Sequence, residues 1–158
     1  MYRVAYLENY SDDTLLLVAY LVGKQREEIS LAEIFSDIGL NQLNGDFKTT
    51  DVALEVTLSD DFEVEFHYAI DLVVYLSALL LECKQSGSVD LSDLSDEWEE
   101  PRPLRITATP EEHKILNRAL KEFAAAPTEY DISEMMSEDE LSEMADAAEE
   151  IRQALYES

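Results

Sequence analysis

The sequence predicts a single α+β domain in which a small antiparallel sheet packs with about four to five helices. Residues 51–68 alternate between apolar and polar positions in two short runs, as the strands of a hairpin do. Helix-start signals precede several longer segments that carry apolar residues at helical spacing. With 158 residues, 46% of them hydrophobic, the chain is long enough to bury one core. We therefore expect residues 1–158 to form one domain.

The hairpin is the clearest strand prediction. Residues 52–58 and 62–68 place apolar side chains at every second position. A loop over residues 59–61 predicts that Leu58 lies opposite Phe62. In that register, the apolar side chains of both strands share one face, which we expect to belong to the core.

Helices are predicted where capping residues, stop signals or apolar stripes mark a segment. They cover residues 15–22, 31–38, 69–84, 110–126 and 138–156. The first and the third are apolar all round, so a strand remains open for both. Short strands are also predicted at residues 2–6 and 104–108, and polar connections at residues 88–103 and 128–137.

Two apolar stripes should face the core. In the fourth helix, the stripe consists of Ile115, Leu116, Ala119, Leu120 and Phe123. In the C-terminal helix, it consists of Leu141, Met144, Ala148, Ile151 and Leu155. Capping boxes are predicted for Ser30 with Glu33, Thr109 with Glu112, and Ser137 with Glu140.

Residues suited to catalysis are scarce. The chain contains His67 and His113 as its only histidines, Cys83 as its only cysteine, and four glycines. It shows neither a nucleophile elbow nor a glycine-rich phosphate loop, and it has too few Cys and His residues for a structural zinc site. The acidic residues of segment 90–100 lack the spacing of a calcium-binding EF-hand loop. We expect no enzymatic activity, no metal and no cofactor, and we interpret Cys83 as a core or surface thiol.

The net charge of −25, from 36 acidic against 11 basic residues, points to the kind of partner. Phosphate binding needs clustered Lys and Arg, so we expect no direct binding to nucleic acid or to an anionic membrane. The charge favours a basic protein. Residues 1–9 lack a signal-peptide pattern, and a single cysteine fits a reducing compartment. These features predict a cytoplasmic location.

The acidic loop at residues 88–103 is the first candidate binding segment. It holds the only tryptophan of the chain, surrounded by acidic residues. Aromatic side chains ringed by charge suit binding hot spots, and carboxylates pair well with arginine. The alternative is a solvated loop in which the tryptophan packs on the core. The candidate residues are Asp93, Asp96, Glu97, Trp98, Glu99 and Glu100.

Like charges placed close together mark two further candidate surfaces. On the outer face of the hairpin, Glu55 should lie opposite Glu65, which costs stability. The candidate partner-binding residues there are Glu55, Asp60, Asp61, Glu63 and Glu65. In the C-terminal helix, Glu149, Glu150 and Glu157 lie near the end, where the helix dipole disfavours anions. Sequences tolerate such conflicts mainly at functional surfaces, although a solvated face is the alternative.

In size, charge, α+β pattern and the acidic stretches 59–65 and 93–100, the chain resembles the immunity proteins of bacterial toxin systems, including those of contact-dependent growth inhibition. The resemblance implies a cytosolic inhibitor that covers the basic active site of a nuclease-type toxin. It carries over no individual binding residues, because these proteins differ widely in fold.

A DNA mimic of the anti-restriction or anti-CRISPR type is the main alternative, since it also presents carboxylates to a cationic cleft. A mimic should space its acids regularly along an elongated surface, whereas an inhibitor should gather them around aromatic anchors. The clustering near Trp98 favours the inhibitor. An enzyme of unknown type and a chaperone or adaptor for basic proteins are the lesser alternatives.

Overall fold

The computed structural model describes residues 17, 20–21, 27–38, 54–59, 62–66, 69–90 and 103–156. Within them, the strands are β1 (Glu28–Ser30), β2 (Leu54–Ser59), β3 (Phe62–Phe66), β4 (Val89–Asp90) and β5 (Pro103–Thr107). The helices are α1 (Leu31–Ile38), α2 (Ala69–Ser86), α3 (Pro110–Ala125) and α4 (Glu138–Tyr156). The predicted strand at residues 2–6 lies outside the described residues. The predicted α+β class is confirmed.

The pairing of the strands differs from the predicted antiparallel sheet. β5 lies between β1 and β4, parallel to β1 and antiparallel to β4. The β2–β3 hairpin forms a separate two-stranded sheet within the described part of the chain. The sequence gives no sign of β1, because three residues are too few to show an alternating pattern. β4 occupies Val89–Asp90, where we expected the start of the acidic loop.

The hairpin register is confirmed except beside its turn. The observed opposite residues include Leu54 and Phe66, Glu55 and Glu65, and Val56 and Val64. Our prediction that Leu58 lies opposite Phe62 is wrong, since Ser59 takes that place. An irregularity between Thr57 and Ser59 inserts an extra residue into β2, as a β-bulge does, and thereby shortens the turn.

Helix α2 forms the centre of the fold. Every residue from Ile70 to Cys83 is buried, which explains why this segment is apolar all round. The strand alternative for this segment is thereby excluded, and Leu17, Tyr20 and Leu21 of the first apolar run are likewise helical. Gly87 ends the helix with a φ of 85°, and its N–H donates to the Cys83 carbonyl at 2.8 Å.

Helices α3 and α4 lie antiparallel to each other and pack against α2. His113 near the start of α3 contacts Tyr156 at the end of α4, which fixes their relative direction. The connection between them contains two short 3₁₀ helices, Pro127–Glu129 and Asp131–Met135, where we expected a loop. No helix among the described residues is long and apolar enough to span a membrane.

The predicted core stripes of α3 and α4 are largely correct. The buried members are Leu116, Ala119, Leu120 and Phe123 in α3, and Leu141, Met144, Ala148 and Ile151 in α4. Ile115 is a wrong prediction, because its side chain is 36% exposed at the edge of the stripe. Leu155 is only partly buried, in the last turn of α4.

The capping box of α3 is complete. The Glu112 N–H donates to Thr109 Oγ1 at 3.3 Å, and the Thr109 N–H donates to Glu112 Oε1 at 2.7 Å.

We expect Thr109→Ala to lower the free energy of unfolding by about 1 kcal/mol, because the first turn of α3 loses its side-chain acceptor. Urea denaturation measures this loss. Thr128→Ala, at an exposed threonine that caps no α-helix, is the control, and an equal loss in both variants would contradict the prediction.

Candidate protein-binding surface

Four acidic residues follow one outward line along α4. Asp139, Glu143, Asp146 and Glu150 are separated by four, three and four positions, so they share one face of the helix. All four are exposed, on the side opposite the buried stripe. Within the described part of the chain, none of them forms an ion pair. We call this row the α4 acidic stripe.

The neighbouring helix carries the opposite charge. Lys114, Arg118 and Lys121 are exposed and share one face of α3, which we call the α3 basic stripe. Arg118 pairs with Glu122 at 3.0 Å, one turn further on. Because both helices pack on α2, negative and positive rows lie side by side on the solvent face. The described surface therefore carries two helical faces of opposite charge.

Glu149 is part of a hydrogen-bond network around the buried Arg152, contrary to our expectation of an uncompensated anion. Arg152 is buried, and its Nε donates to Glu149 Oε2 at 2.9 Å. Its Nη1 donates to Asn117 Oδ1 of α3 at 3.3 Å. The hydrogen bonds from Arg152 lower the pKa of Glu149 to about 2. This carboxylate therefore fastens α4 to α3 through Arg152.

The last turn of α4 contains no basic residue, but a lysine from another helix contacts it. Lys84 Nζ, from α2, donates to the carbonyl oxygens of Ala154 at 3.2 Å and Leu155 at 3.3 Å. These carbonyls belong to the last turn, where a positive charge is favourable. The conflict that we inferred from the helix dipole is thus partly relieved by tertiary contact. Glu157 lies outside the described residues.

The other predicted binding residues are brought together only in part. The backbone pairing of β2 with β3 places Glu55 opposite Glu65 and Glu63 opposite Thr57. The hairpin therefore keeps the like-charged pair that the sequence predicted. The remaining candidates, Asp60, Asp61, Asp93, Asp96, Glu97, Trp98, Glu99 and Glu100, lie outside the described residues.

A cavity of about 430 Å³ lies where α2, β5, α3 and α4 meet. Cys83 lines it, is only 9% exposed, and has a thiol pKa raised mainly by burial. His113 Nδ1 lies 3.0 Å from the Tyr156 hydroxyl, and burial raises the pKa of Tyr156 to about 12. The thiol and the phenol therefore stay protonated at neutral pH. Neither is an activated nucleophile.

Cys83 and His113 both take part in packing between the elements of the fold. Cys83 belongs to the buried core, one of the two places we expected. His113 serves the contact between α3 and α4 through Tyr156, and His67 lies outside the described residues. No group of three His, Cys, Asp or Glu residues in the described part of the chain could hold a metal ion.

The chain forms a small α+β domain that carries a row of carboxylates on one exposed helix face of its described part. The chain belongs to the Imm68 family, Immunity protein 68, whose family model matches residues 4–155. This match confirms the resemblance to immunity proteins and supports an inhibitory role directed at a cognate toxin. No significant match was found among curated proteins or among solved structures.

Proposed function

We propose that this protein is a cytoplasmic immunity protein that neutralises a basic, nuclease-type toxin domain by covering its active site. Membership of the Imm68 family over residues 4–155 carries the proposal. The net charge of −25 supports a basic target, because opposite charges accelerate encounter and suppress wrong partners. The protein acts by binding and not by catalysis.

The α4 acidic stripe is the part of the described surface best suited to receive such a toxin. Its four carboxylates span about 16 Å at the rise of an α-helix. They are held on a helix whose other side is buried in the core, so little ordering is needed on binding. The stripe joins the hairpin face and the acidic loop as the third component of the proposed interface.

The alternative, a DNA mimic, fits this surface less well. A duplex presents two rows of phosphates, one from each strand. Here the row beside the α4 acidic stripe is basic, formed by Lys114, Arg118 and Lys121. A protein cleft shaped for duplex DNA would meet cations where it needs anions. This face therefore favours a dedicated inhibitor.

The test uses a candidate cognate toxin domain, sought first in the gene immediately upstream of the one that encodes this protein. We expect the two proteins to form a complex that blocks the toxin's nuclease activity and protects growing cells. Between 50 and 500 mM salt, we expect the association rate to fall by about tenfold or more, because salt screens the steering field. Stopped-flow fluorescence measures this rate. An association rate independent of salt, or no protection, would refute the proposal.

A second measurement separates the inhibitor from the mimic. We expect no inhibition of an unrelated nuclease at concentrations that silence the cognate toxin, since specificity requires matched contacts. A DNA mimic would inhibit both enzymes and would compete with a short DNA duplex for each.

The three acidic surfaces can be compared by neutralising each separately. One variant changes Asp93, Asp96, Glu97 and Glu99 of the loop, a second changes Glu55, Glu63 and Glu65 of the hairpin, and a third changes the α4 acidic stripe. We expect each variant of a true interface to weaken toxin binding while circular dichroism shows an intact fold. A surface whose neutralisation leaves the affinity unchanged lies outside the interface.

A further inference from the structure

The α3 basic stripe gathers like charges in a chain that has few bases. Lys114, Arg118 and Lys121 are separated by four and three positions, spacings at which like charges on a helix repel one another. They are three of only 11 basic residues, against 36 acidic ones. None of the positions three or four residues away from Lys121 is acidic. The stripe therefore costs the helix stability, as the α4 acidic stripe does, and sequences tolerate such conflicts mainly at functional surfaces.

The charges of this stripe are balanced only in part by the described chain. Arg118 pairs with Glu122 at 3.0 Å, but its side chain is 79% exposed, so water screens the pair. Lys121 also attracts the Glu149 carboxylate, which already forms an ion pair of its own. Among the residues that the structure describes, Lys114 and Lys121 form no ion pair. The stripe therefore presents positive charge to the solvent.

Helices α3 and α4 are held as a pair, so a partner that covers one also reaches the other. Arg152 Nη1 of α4 donates to Asn117 Oδ1 of α3 at 3.3 Å, and His113 Nδ1 lies 3.0 Å from the Tyr156 hydroxyl. Packed helices lie about 8–10 Å apart. A standard protein interface buries about 800 Å² on each partner, a patch roughly 30 Å across. A toxin seated on the α4 acidic stripe would therefore also cover the α3 basic stripe.

A toxin that is basic over its whole contact surface would fit this helix pair poorly. Its cations would find carboxylates on α4, but on α3 they would meet other cations. Like charges brought together at an interface are unfavourable, and more strongly so where water is excluded. A toxin surface that covers both helices well therefore changes its sign of charge between them.

We propose that the α3 basic stripe receives an acidic segment of the cognate toxin. The inference rests on the proposed immunity function and describes the toxin surface further: basic where it faces α4 and acidic where it faces α3. A pattern with both signs fixes the orientation of the complex, because only one arrangement pairs both rows. It also disfavours other basic proteins, which lack the acidic segment and are repelled by α3.

Two variants with the same change of net charge test this proposal. The stripe variant replaces the three bases of the α3 basic stripe by glutamine. The control carries Ala32→Glu, Gln85→Glu and Thr128→Glu, at exposed positions outside α3 and α4. Each variant makes the net charge three units more negative than −25. Circular dichroism and urea denaturation confirm that both are folded, which we expect because all the replaced side chains are exposed.

We expect the stripe variant to bind the toxin about tenfold more weakly or worse, and the control to bind at least as tightly as the natural protein. Attraction by net charge alone predicts the opposite for the stripe variant, because that variant is more negative. Titration calorimetry at 150 mM salt measures the affinities. A stripe variant that binds equally or more tightly would overturn this inference and leave the immunity function in place. A natural protein that fails to bind the toxin would overturn both.

A measurement without toxin examines the stripe itself, with hexaglutamate as an acidic probe. In ¹H–¹⁵N NMR titrations of the natural full chain at 20 mM salt, we expect hexaglutamate to shift the amide signals of Lys114, Arg118 and Lys121. The control variant should show the same shifts, and the stripe variant should lose them. Absence of these shifts at millimolar peptide would show that the surrounding acids cancel the stripe, and this result would also overturn the inference.

A second copy of this chain is the other source of carboxylates, through its own α4 acidic stripe. We expect the natural protein to sediment as a monomer, because chains of net charge −25 repel each other and exposed ion pairs alone bind weakly. Sedimentation velocity at 150 mM salt measures this. A dimer that the stripe variant abolishes would assign the α3 basic stripe to the second copy and overturn its assignment to the toxin.

Discussion

Replacing Asp139, Glu143, Asp146 and Glu150 by their amides is expected to slow association with the cognate toxin by about tenfold to a hundredfold at low salt. The four side chains are exposed, lie on one face of α4 and form no ion pair within the described part of the chain. Their charges therefore add to one local field. Stopped-flow association at 20 mM and at 500 mM salt measures the effect, which should nearly vanish at the higher value.

The matched control removes four negative charges from dispersed positions. Glu27, Glu111, Glu129 and Glu134 are exposed and lie on different parts of the described chain. Their replacement by glutamine changes the net charge by the same amount, so we expect a much smaller loss of association rate. If both variants slow association equally, net charge alone governs the encounter and the α4 acidic stripe is not the docking surface.

The stability of the stripe variant is expected to match or exceed that of the natural protein. Like charges at helical spacings of three and four positions repel one another, and their removal relieves this repulsion. A loss of binding that accompanied unfolding would be uninformative about the interface, so urea denaturation belongs in the same experiment. Equal or higher stability together with slower association would identify carboxylates that serve binding at some cost to the fold.

The elements that could be predicted from the sequence are those with local signals. Thr109, Pro110 and Glu112 lie within one helical turn, and they mark the start of α3 correctly. The parallel pairing of β1 with β5 joins residues 28–30 to residues 105–107. Such a long-range contact leaves no pattern in either segment alone, so the sheet topology could not be predicted.

The same limit explains what was missed at the candidate site. From the sequence, the negative charge of Glu149 appeared to lack a counter-charge, because the helix contains only one basic residue. That residue, Arg152, lies three positions further along and donates a hydrogen bond to the Glu149 carboxylate. Lys84, which serves the end of α4, comes from α2 and is far away in sequence. The i, i+3 spacing could have indicated the first pair. The second depends on how the helices pack.

Within the network that joins α3 to α4, Glu149→Gln is expected to destabilise the protein more than Arg152→Met. The side chain of Arg152 is 9% exposed, whereas that of Glu149 is 34% exposed. Removing the carboxylate takes the ion pair with Glu149 away from a buried guanidinium, at a cost of about 2 kcal/mol. Removing the guanidinium leaves a carboxylate that water can reach, at a cost of about 1 kcal/mol. Urea denaturation at pH 7 gives both values, and the reverse order would contradict this account.

The pH dependence of the free energy of unfolding tests the contribution of the Glu149 charge to the same network. Arg152 holds the pKa of Glu149 at about 2 in the folded protein, below its ordinary value of 4.5. A carboxylate with a lowered folded-state pKa stabilises the protein fully above its unfolded-state pKa and loses that contribution as the pH falls through its folded-state pKa. The stability difference between the natural protein and Glu149→Gln should therefore be full at pH 7 and shrink between about pH 5 and pH 2. A difference that stays constant over this range would show that the loss comes from packing and not from the charge of Glu149.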